Sequence, residues 1–230
     1  MPRIARPVFP GLPHHVTQRG NRQADIFLCN ADRTQYLEWL KEYCAAAEVE
    51  MIAYCLMRNH VHFVAILLAA DSFERVFHRL HTRYAQRFNR ITGFKGHVMQ
   101  GRYFSAALDE SHLWTAIRYV ERNPVRAGMV QKAQDYAWSS AAMHCGLRTD
   151  PVVNGRNALP RDFVSTADWP KWLSSEEDST QVNLLRTQSL RGLPCGSDDF
   201  VSSLEMRAGV PLKRRPRGRP WPQENKGARP

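Results

Sequence analysis

Two histidines stand two residues apart in the stretch CLMRNHVHFVAIL, residues 55–67. Alternate side chains of a strand share a face, so His60 and His62 are neighbours while Val61 points to the core. Two adjacent imidazoles make a bidentate arm for a divalent metal, completed by an oxygen ligand and by water or substrate oxygens. Taken alone, the pair also fits a solvated strand face. A second chemical group sits in AIRYVERNPVRAG, residues 116–128. Leu113, Ala116, Ile117 and Val120 form an apolar stripe at helical spacing. Tyr119 lies about 110° round from the centre of that stripe, at about 100° per residue. Asn123 follows one turn later on the same flank. Such a flank offers a phenol and an amide oxygen to one site. By itself it also fits a boundary tyrosine with its hydroxyl in water, and an asparagine that stops the helix before proline.

The elements that must carry these groups read as strand, helix, strand, strand, helix, strand, helix over residues 1–145. HHVTQRG is strand-like and ends in a turn signal; ADRTQYLEWLKEYCAAAE has helical spacing; VEMIAYCLM and HVHFVAILL form a hairpin pair. DSFERVFHRLHTRYAQRFNR follows as a helix, with Asp71 and Glu74 suited to a capping box. VMQGRYFSAAL reads as a further strand, and DESHLWTAIRYVERN as a helix stopped at Asn-Pro. This order is the split βαβ pattern: an α+β, ferredoxin-like or RRM-like antiparallel sheet with helices on one face, the other face being free to work. Residues 146–210 read as a partly helical C-terminal extension, with helical segments at 169–175 and 198–208. Residues 211–230 form an Arg/Pro/Gly-rich tail expected to be disordered when free.

Composition narrows the partner. The chain of 230 residues carries a net charge of +10, which favours a polyanion, nucleic acid before an acidic membrane surface. Residues 212–230 hold seven basic groups against one acid, over half of the excess. The five cysteines are scattered singly, which argues against a zinc ribbon and a disulfide framework. No signal-peptide pattern is visible, so a reducing cytoplasm, in association with DNA, is the expected location. No apolar run is long enough to span a bilayer as a helix, and no membrane role is expected. Self-association is not readable from the sequence.

The segment NHVHFV resembles the histidine–hydrophobic–histidine (HUH) motif of single-strand DNA transposases and relaxases. YVERNPVRAGMV is similar to the tyrosine helix of the REP-associated tyrosine transposases, relatives of the smallest bacterial insertion-sequence transposases. The opening RPVFPGLPHHVTQRGNRQ, the AYCLMRNHVH strand pair and GRYFSAAL also resemble that family, in the same order, over residues 1–145. The resemblance implies a divalent metal, Mg2+ or Mn2+, held by His60 and His62, with Asn123 at the position of a third ligand. It implies Tyr119 as the nucleophile, a 5′-phosphotyrosine intermediate, and single-stranded or hairpin DNA as substrate, at repetitive extragenic palindromes. Two rivals remain open at this point: a hairpin DNA- or RNA-binding module or repressor that has kept only the fold, and a metal-dependent nuclease that uses water.

Several cations are placed to meet DNA. Arg75, Arg79, Arg83 and Arg87 recur every four residues and form one ridge on the second helix, with only Glu74 nearby, which fits phosphate contact and equally a solvated helix face. Arg19, Asn21 and Arg22 follow the first strand; Gln100, Arg102 and Tyr103 precede another. Both groups mix cations with hydrogen-bonding side chains, as a single-strand groove does. In the tail, Arg215, Arg217 and Arg219 lie in RRPRGRP, which resembles an AT-hook and fits equally a generic basic tail.

Overall fold

The strand β3, His60–Leu67, is paired on both edges, and each of its faces is covered. In the computed structural model, which describes residues 7–155, 159, 165 and 167–213, it lies between β2 (Val49–Leu56) and β1 (Pro13–Arg19). The fourth strand β4 (Phe104–Ala107) borders β1, giving the order β2-β3-β1-β4 with every neighbour antiparallel. This is the α+β antiparallel sheet expected.

Alternation assigns the faces. Val61, Phe63, Ala65 and Leu67 turn to one side, where α1 (Asn30–Ala46) and α2 (Ser72–Thr92) cover them with Tyr36, Leu40, Phe73, Val76, Phe77 and Leu80. The opposite face is not bare, which corrects the expectation of helices on one side only. Val64 there joins Ile52, Ala53 and Cys55 of β2, and α3 (Glu110–Glu121) seals this apolar half with Leu113, Ala116, Ile117 and Val120. Its cause is compositional: half of that face is aliphatic and is stabilised by leaving water. Only the His60 and His62 end keeps polar neighbours, Arg19 and Thr17 standing opposite the two histidines on β1.

Local details depart from the sequence reading in three places. Asp71 is the N-cap of α2 but makes no capping bond; the Ser72 hydroxyl accepts from the Ala69 N–H instead. The strand expected over residues 98–108 is confined to β4, because Gly101 turns the chain at φ +71°. Pro124 does not end the helical run. It lies in the first turn of α4 (Asn123–Arg126), where a missing N–H costs nothing, and Arg122 between the two helices keeps a helical φ of −85°.

Beyond the short α5 (Ala141–His144), the C-terminal segment folds onto the second core. Helix α6 (Trp169–Ser174) supplies Trp169 and Leu173, and α7 (Ser179–Arg191) supplies Leu185. Helix α8 (Asp198–Ala208) packs Val201 and Leu204 against Phe9 and Leu212. Helices α6 and α8 match the expected segments; α7 does not appear in the sequence reading. All five cysteines are free thiols. Among the described residues no helix is long and apolar enough to cross a membrane.

Within β1, the wholly buried His14 is satisfied as a neutral ring: Nδ1 lies 2.9 Å from the Leu12 carbonyl and Nε2 accepts the Phe9 N–H. Burial pushes its pKa down to about 4, against the smaller upward pull of the Leu12 carbonyl. The unfolded chain therefore binds this proton first, and stability falls as pH drops from about 6.5 towards 4, by up to about 1.4 kcal/mol per pH unit. Replacing His14→Gln is expected to flatten the stability profile between pH 4.5 and 6.5 by about one proton, read from urea unfolding at a series of pH values.

Candidate active site

Six elements and one loop converge on a cavity of about 440 Å³ at the polar end of the sheet. Strand β3 contributes His60 and His62, and β1 contributes His15, Thr17 and Arg19. Phe104 enters from β4 and Gln100 from the loop before it. Tyr119 of α3 and Asn123 of α4 form one wall; Arg186, Ser189 and Leu190 of α7 form another. The two histidines, the tyrosine and the asparagine named from the sequence thus meet in one cavity, with Arg19 beside them.

Tyr119 meets two imidazoles edge to face. Its ring centroid is 5.5 Å from that of His62 at 88°, and 5.8 Å from that of His15 at 84°. The Arg126 guanidinium lies 4.2 Å from the ring centre, a cation–π contact. Arg126 also donates to the Tyr119 carbonyl and, through Nη1, to both carboxylate oxygens of Glu177 at 2.9 and 3.0 Å. The tyrosine is thereby held by contacts with two histidines and with a fixed arginine.

The imidazoles are held neutral and oriented. Burial, with Arg19 adding to it, lowers the His60 pKa to about 4. Burial also drives His62 well below its ordinary value, reinforced by His15, His60, Arg126 and Arg19. Each ring has its Nδ1 engaged: in His60 by the Asn59 side-chain oxygen at 2.6 Å, in His62 by Nε2 of His15 at 2.9 Å. The Nε2 atoms are the ring nitrogens left for a ligand.

This donor set fits a divalent metal. Neutral imidazoles are the liganding form, and the Asn123 amide, 9% exposed, stands in the wall of the same cavity, where its oxygen is the atom able to ligate. Among the described residues no three His, Cys, Asp or Glu side chains are grouped to hold a metal. The set is therefore sparse, two imidazoles and an amide, leaving coordination positions for water or phosphate oxygens, which Mg2+ and Mn2+ favour.

The expected DNA contacts are distributed differently. Asn21 and Arg22 lie in the turn after β1 and Arg102 in the loop before β4, outside the cavity lining. Tyr103 packs into the first core against Phe73 and Phe77. The arginine ridge of α2 belongs to the helix layer on the far side of the sheet, and it is not poorly neutralised. Arg75 donates to the Ala46 carbonyl at 2.8 Å; Arg83 reaches Tyr43 and Glu42 and stacks over Trp39; Arg87 pairs with the buried Asp32 at 2.8 Å. The four-residue spacing aims three of the four arginines at α1, while Arg79 is exposed. Arg215, Arg217 and Arg219 lie outside the described residues.

Sequence reasoning missed His15, Arg126, Glu177, Arg186 and Ser189. His15 was within reach: with Thr17 and Arg19 it forms a polar period-2 series in β1. Ser189 was not, because it touches the site only through tertiary folding. Glu121 was missed as well. It is fully buried two residues beyond Tyr119 and accepts from Ser140 Oγ at 2.5 Å and Trp169 Nε1 at 2.9 Å, with His144 Nδ1 at 2.6 Å. This one carboxylate ties α3 to α5 and α6. Replacing Glu121→Ala strands three buried polar groups, and a loss of about 3–5 kcal/mol in unfolding free energy is expected from denaturant titration.

A family model described as "Transposase IS200 like" matches residues 10–123, the span from before β1 to Asn123. A solved REP-associated tyrosine transposase bound to a REP hairpin shares the fold, with 19% identity, 72% of this chain and all of that chain covered, and a TM-score of 0.50. A proposed transposase from Deinococcus radiodurans R1 aligns over 53% of this chain and 97% of its own, with 15% identity and a TM-score of 0.37. No curated protein matches the sequence. Through the domain at residues 10–123, this chain belongs to the IS200-like transposase family.

Proposed function

We propose that the chain nicks and rejoins single-stranded DNA at REP-type hairpins through a 5′-phosphotyrosine on Tyr119. The observation that carries this reading is the packing of Tyr119 against His62, in the cavity that also holds His60, Asn123 and Arg19. The fold shared with a hairpin-bound tyrosine transposase supports the choice of substrate.

Nε2 of His60, Nε2 of His62 and the Asn123 amide would hold a divalent ion, Mg2+ or Mn2+. Such an ion draws charge from the scissile phosphate and orients it. The protein's own groups do the rest. The phenolic oxygen of Tyr119 attacks phosphorus; the new P–O bond forms as the bond to the 3′-oxygen breaks. The phenol loses its proton and the departing oxygen gains one, leaving a free 3′-hydroxyl. One phosphodiester replaces another, so little free energy is lost, and the 3′-hydroxyl of a second strand can reverse the step without ATP. Arg19 at the cavity and Arg186 opposite it are exposed cations suited to the flanking phosphates. Asn21, Arg22 and Arg102 would extend that track along the neighbouring loops, and Arg79 and the tail arginines Arg215, Arg217 and Arg219 would add affinity without taking part in the chemistry.

Incubation with a hairpin carrying a suicide cleavage site and Mg2+ or Mn2+ is expected to give a covalent protein–DNA adduct on a denaturing gel. Tyr119→Phe should reduce that adduct by about 10³-fold or more. An undiminished adduct in this variant would show that another residue is the nucleophile. Cleavage without an adduct would favour water as the attacking group, and tight hairpin binding without cleavage would favour the binding-module reading.

A further inference from the structure

Ser189 and His15 form a continuous hydrogen-bonded chain that ends on His62. The Ser189 hydroxyl lies 2.7 Å from Nδ1 of His15, and Nε2 of His15 lies 2.9 Å from Nδ1 of His62. All three groups are shut away from water, with exposures of 1%, 1% and 6%. The two rings stack almost parallel, centroids 5.1 Å apart at 5°. The chain crosses three elements, from α7 through β1 to β3, and Ser189 lies beyond the residues matched by the family model.

A neutral imidazole has one N–H and one lone pair, so two linked rings share a single proton between them. The chain can therefore run in two directions. If His62 donates from Nδ1 to His15 Nε2, then His15 must donate from Nδ1 to Ser189 Oγ, and the Nε2 of His62 carries a lone pair. If the chain runs the other way, Ser189 donates to His15, His15 donates to His62, and His62 carries its proton on Nε2. A protonated Nε2 cannot ligate a metal. The direction thus decides whether the arm offers one competent nitrogen or two.

We propose that Ser189 and His15 are positioning residues that hold His62 as the Nδ1–H tautomer, its Nε2 lone pair free for the metal. The inference rests on the reading of His60 and His62 as ligands and adds to it a residue of the C-terminal segment. Groups that hydrogen-bond the far nitrogen of a liganding histidine fix its tautomer and rotation, and their loss commonly weakens metal binding by 10- to 100-fold. Among the described residues, the Ser189 hydroxyl is the hydrogen-bond partner that meets His15 Nδ1.

The test uses the whole 230-residue chain without DNA. Long-range ¹H–¹⁵N spectra of the histidine rings report the tautomer directly, and Mn2+ titration followed by electron paramagnetic resonance reports affinity. The wild type is expected to show His62 protonated on Nδ1. Ser189→Ala should shift His62 towards the Nε2–H form and weaken Mn2+ binding by about 10-fold or more, while Ser189→Thr, which keeps the hydroxyl, should bind within about 3-fold of wild type. His15→Gln gives a second interruption of the chain, and thermal melting separates misfolding from lost positioning. Unchanged tautomer and affinity in folded Ser189→Ala would overturn the proposal. His62→Ala distinguishes that failure from failure of the metal reading: Mn2+ binding unaffected by His62→Ala would sink the ligand assignment itself, whereas binding lost in His62→Ala and kept in Ser189→Ala would sink only the relay.

Discussion

The site depends on what burial demands of an imidazole. His62 is 6% exposed inside a central strand, and a ring there must either satisfy both nitrogens or present one to a ligand. His15 meets the first nitrogen, and the second faces the cavity walled by Tyr119 and Asn123. Desolvation at the same time keeps the ring neutral. A solvated histidine would meet none of these conditions: it would rotate, exchange tautomers and titrate near neutrality. The packed sheet that makes the histidines look misplaced as core residues is what makes them usable as fixed donors.

The tyrosine side of the cavity is held by polar ties as well as by packing. The apolar stripe of α3 settles how far the helix stands from the sheet, but an apolar contact sets direction only loosely. Direction comes from hydrogen bonds on the helix's outer side. Glu121 binds α5 and α6, Arg118 and Arg122 donate to the Ser175 carbonyl just past the C-terminal end of α6, and Glu177 fixes Arg126 over the Tyr119 ring. The row Arg118, Arg122, Arg126 repeats every four residues on α3 and α4, and Pro124 does not interrupt it. Helix continuity past the proline therefore matters: a chain that broke at Asn123 would lose Arg126, and with it the clamp on the ring.

Most of the sheet was legible in the sequence because its signals are local. Period-2 alternation in β3 gave the strand, its two faces and the neighbouring histidines, and the helical stripe on α3 gave Tyr119 and Asn123 their shared flank. The second face of the sheet was misjudged because alternation says which residues are paired on a face, not what covers it. Val64, Ile52 and Cys55 are apolar on that face too, and only the tertiary fold shows α3 lying across them. Helix α7 escaped for a related reason. Its deeply buried positions are Leu185 and Ser189, while Leu184 and Leu190 are exposed, so the apolar pattern of its sequence does not mark its buried face.

The arginine ridge on α2 shows where periodicity stops being an argument. Spacing of four guarantees a common face but leaves open whether that face meets water or another helix. Here α1 lies alongside and offers what cations seek: a carbonyl at Ala46, carboxylates at Glu42 and Asp32, a phenol at Tyr43 and an indole face at Trp39. Asp32 is the firmest of these. Burial raises its carboxyl, but the N–H groups of Leu28 and Cys29 and the Arg87 guanidinium outweigh that and hold it below the ordinary range. Protonating it would release those bonds only at low pH, so near neutrality Arg87 stays in the seam between the two helices. A polyanion would have to displace that carboxylate to use the cation. Arg19 and Arg186, exposed at the cavity and without such neighbours among the described residues, carry no comparable penalty, and the electrostatic attraction of DNA would act first where charge is not already compensated.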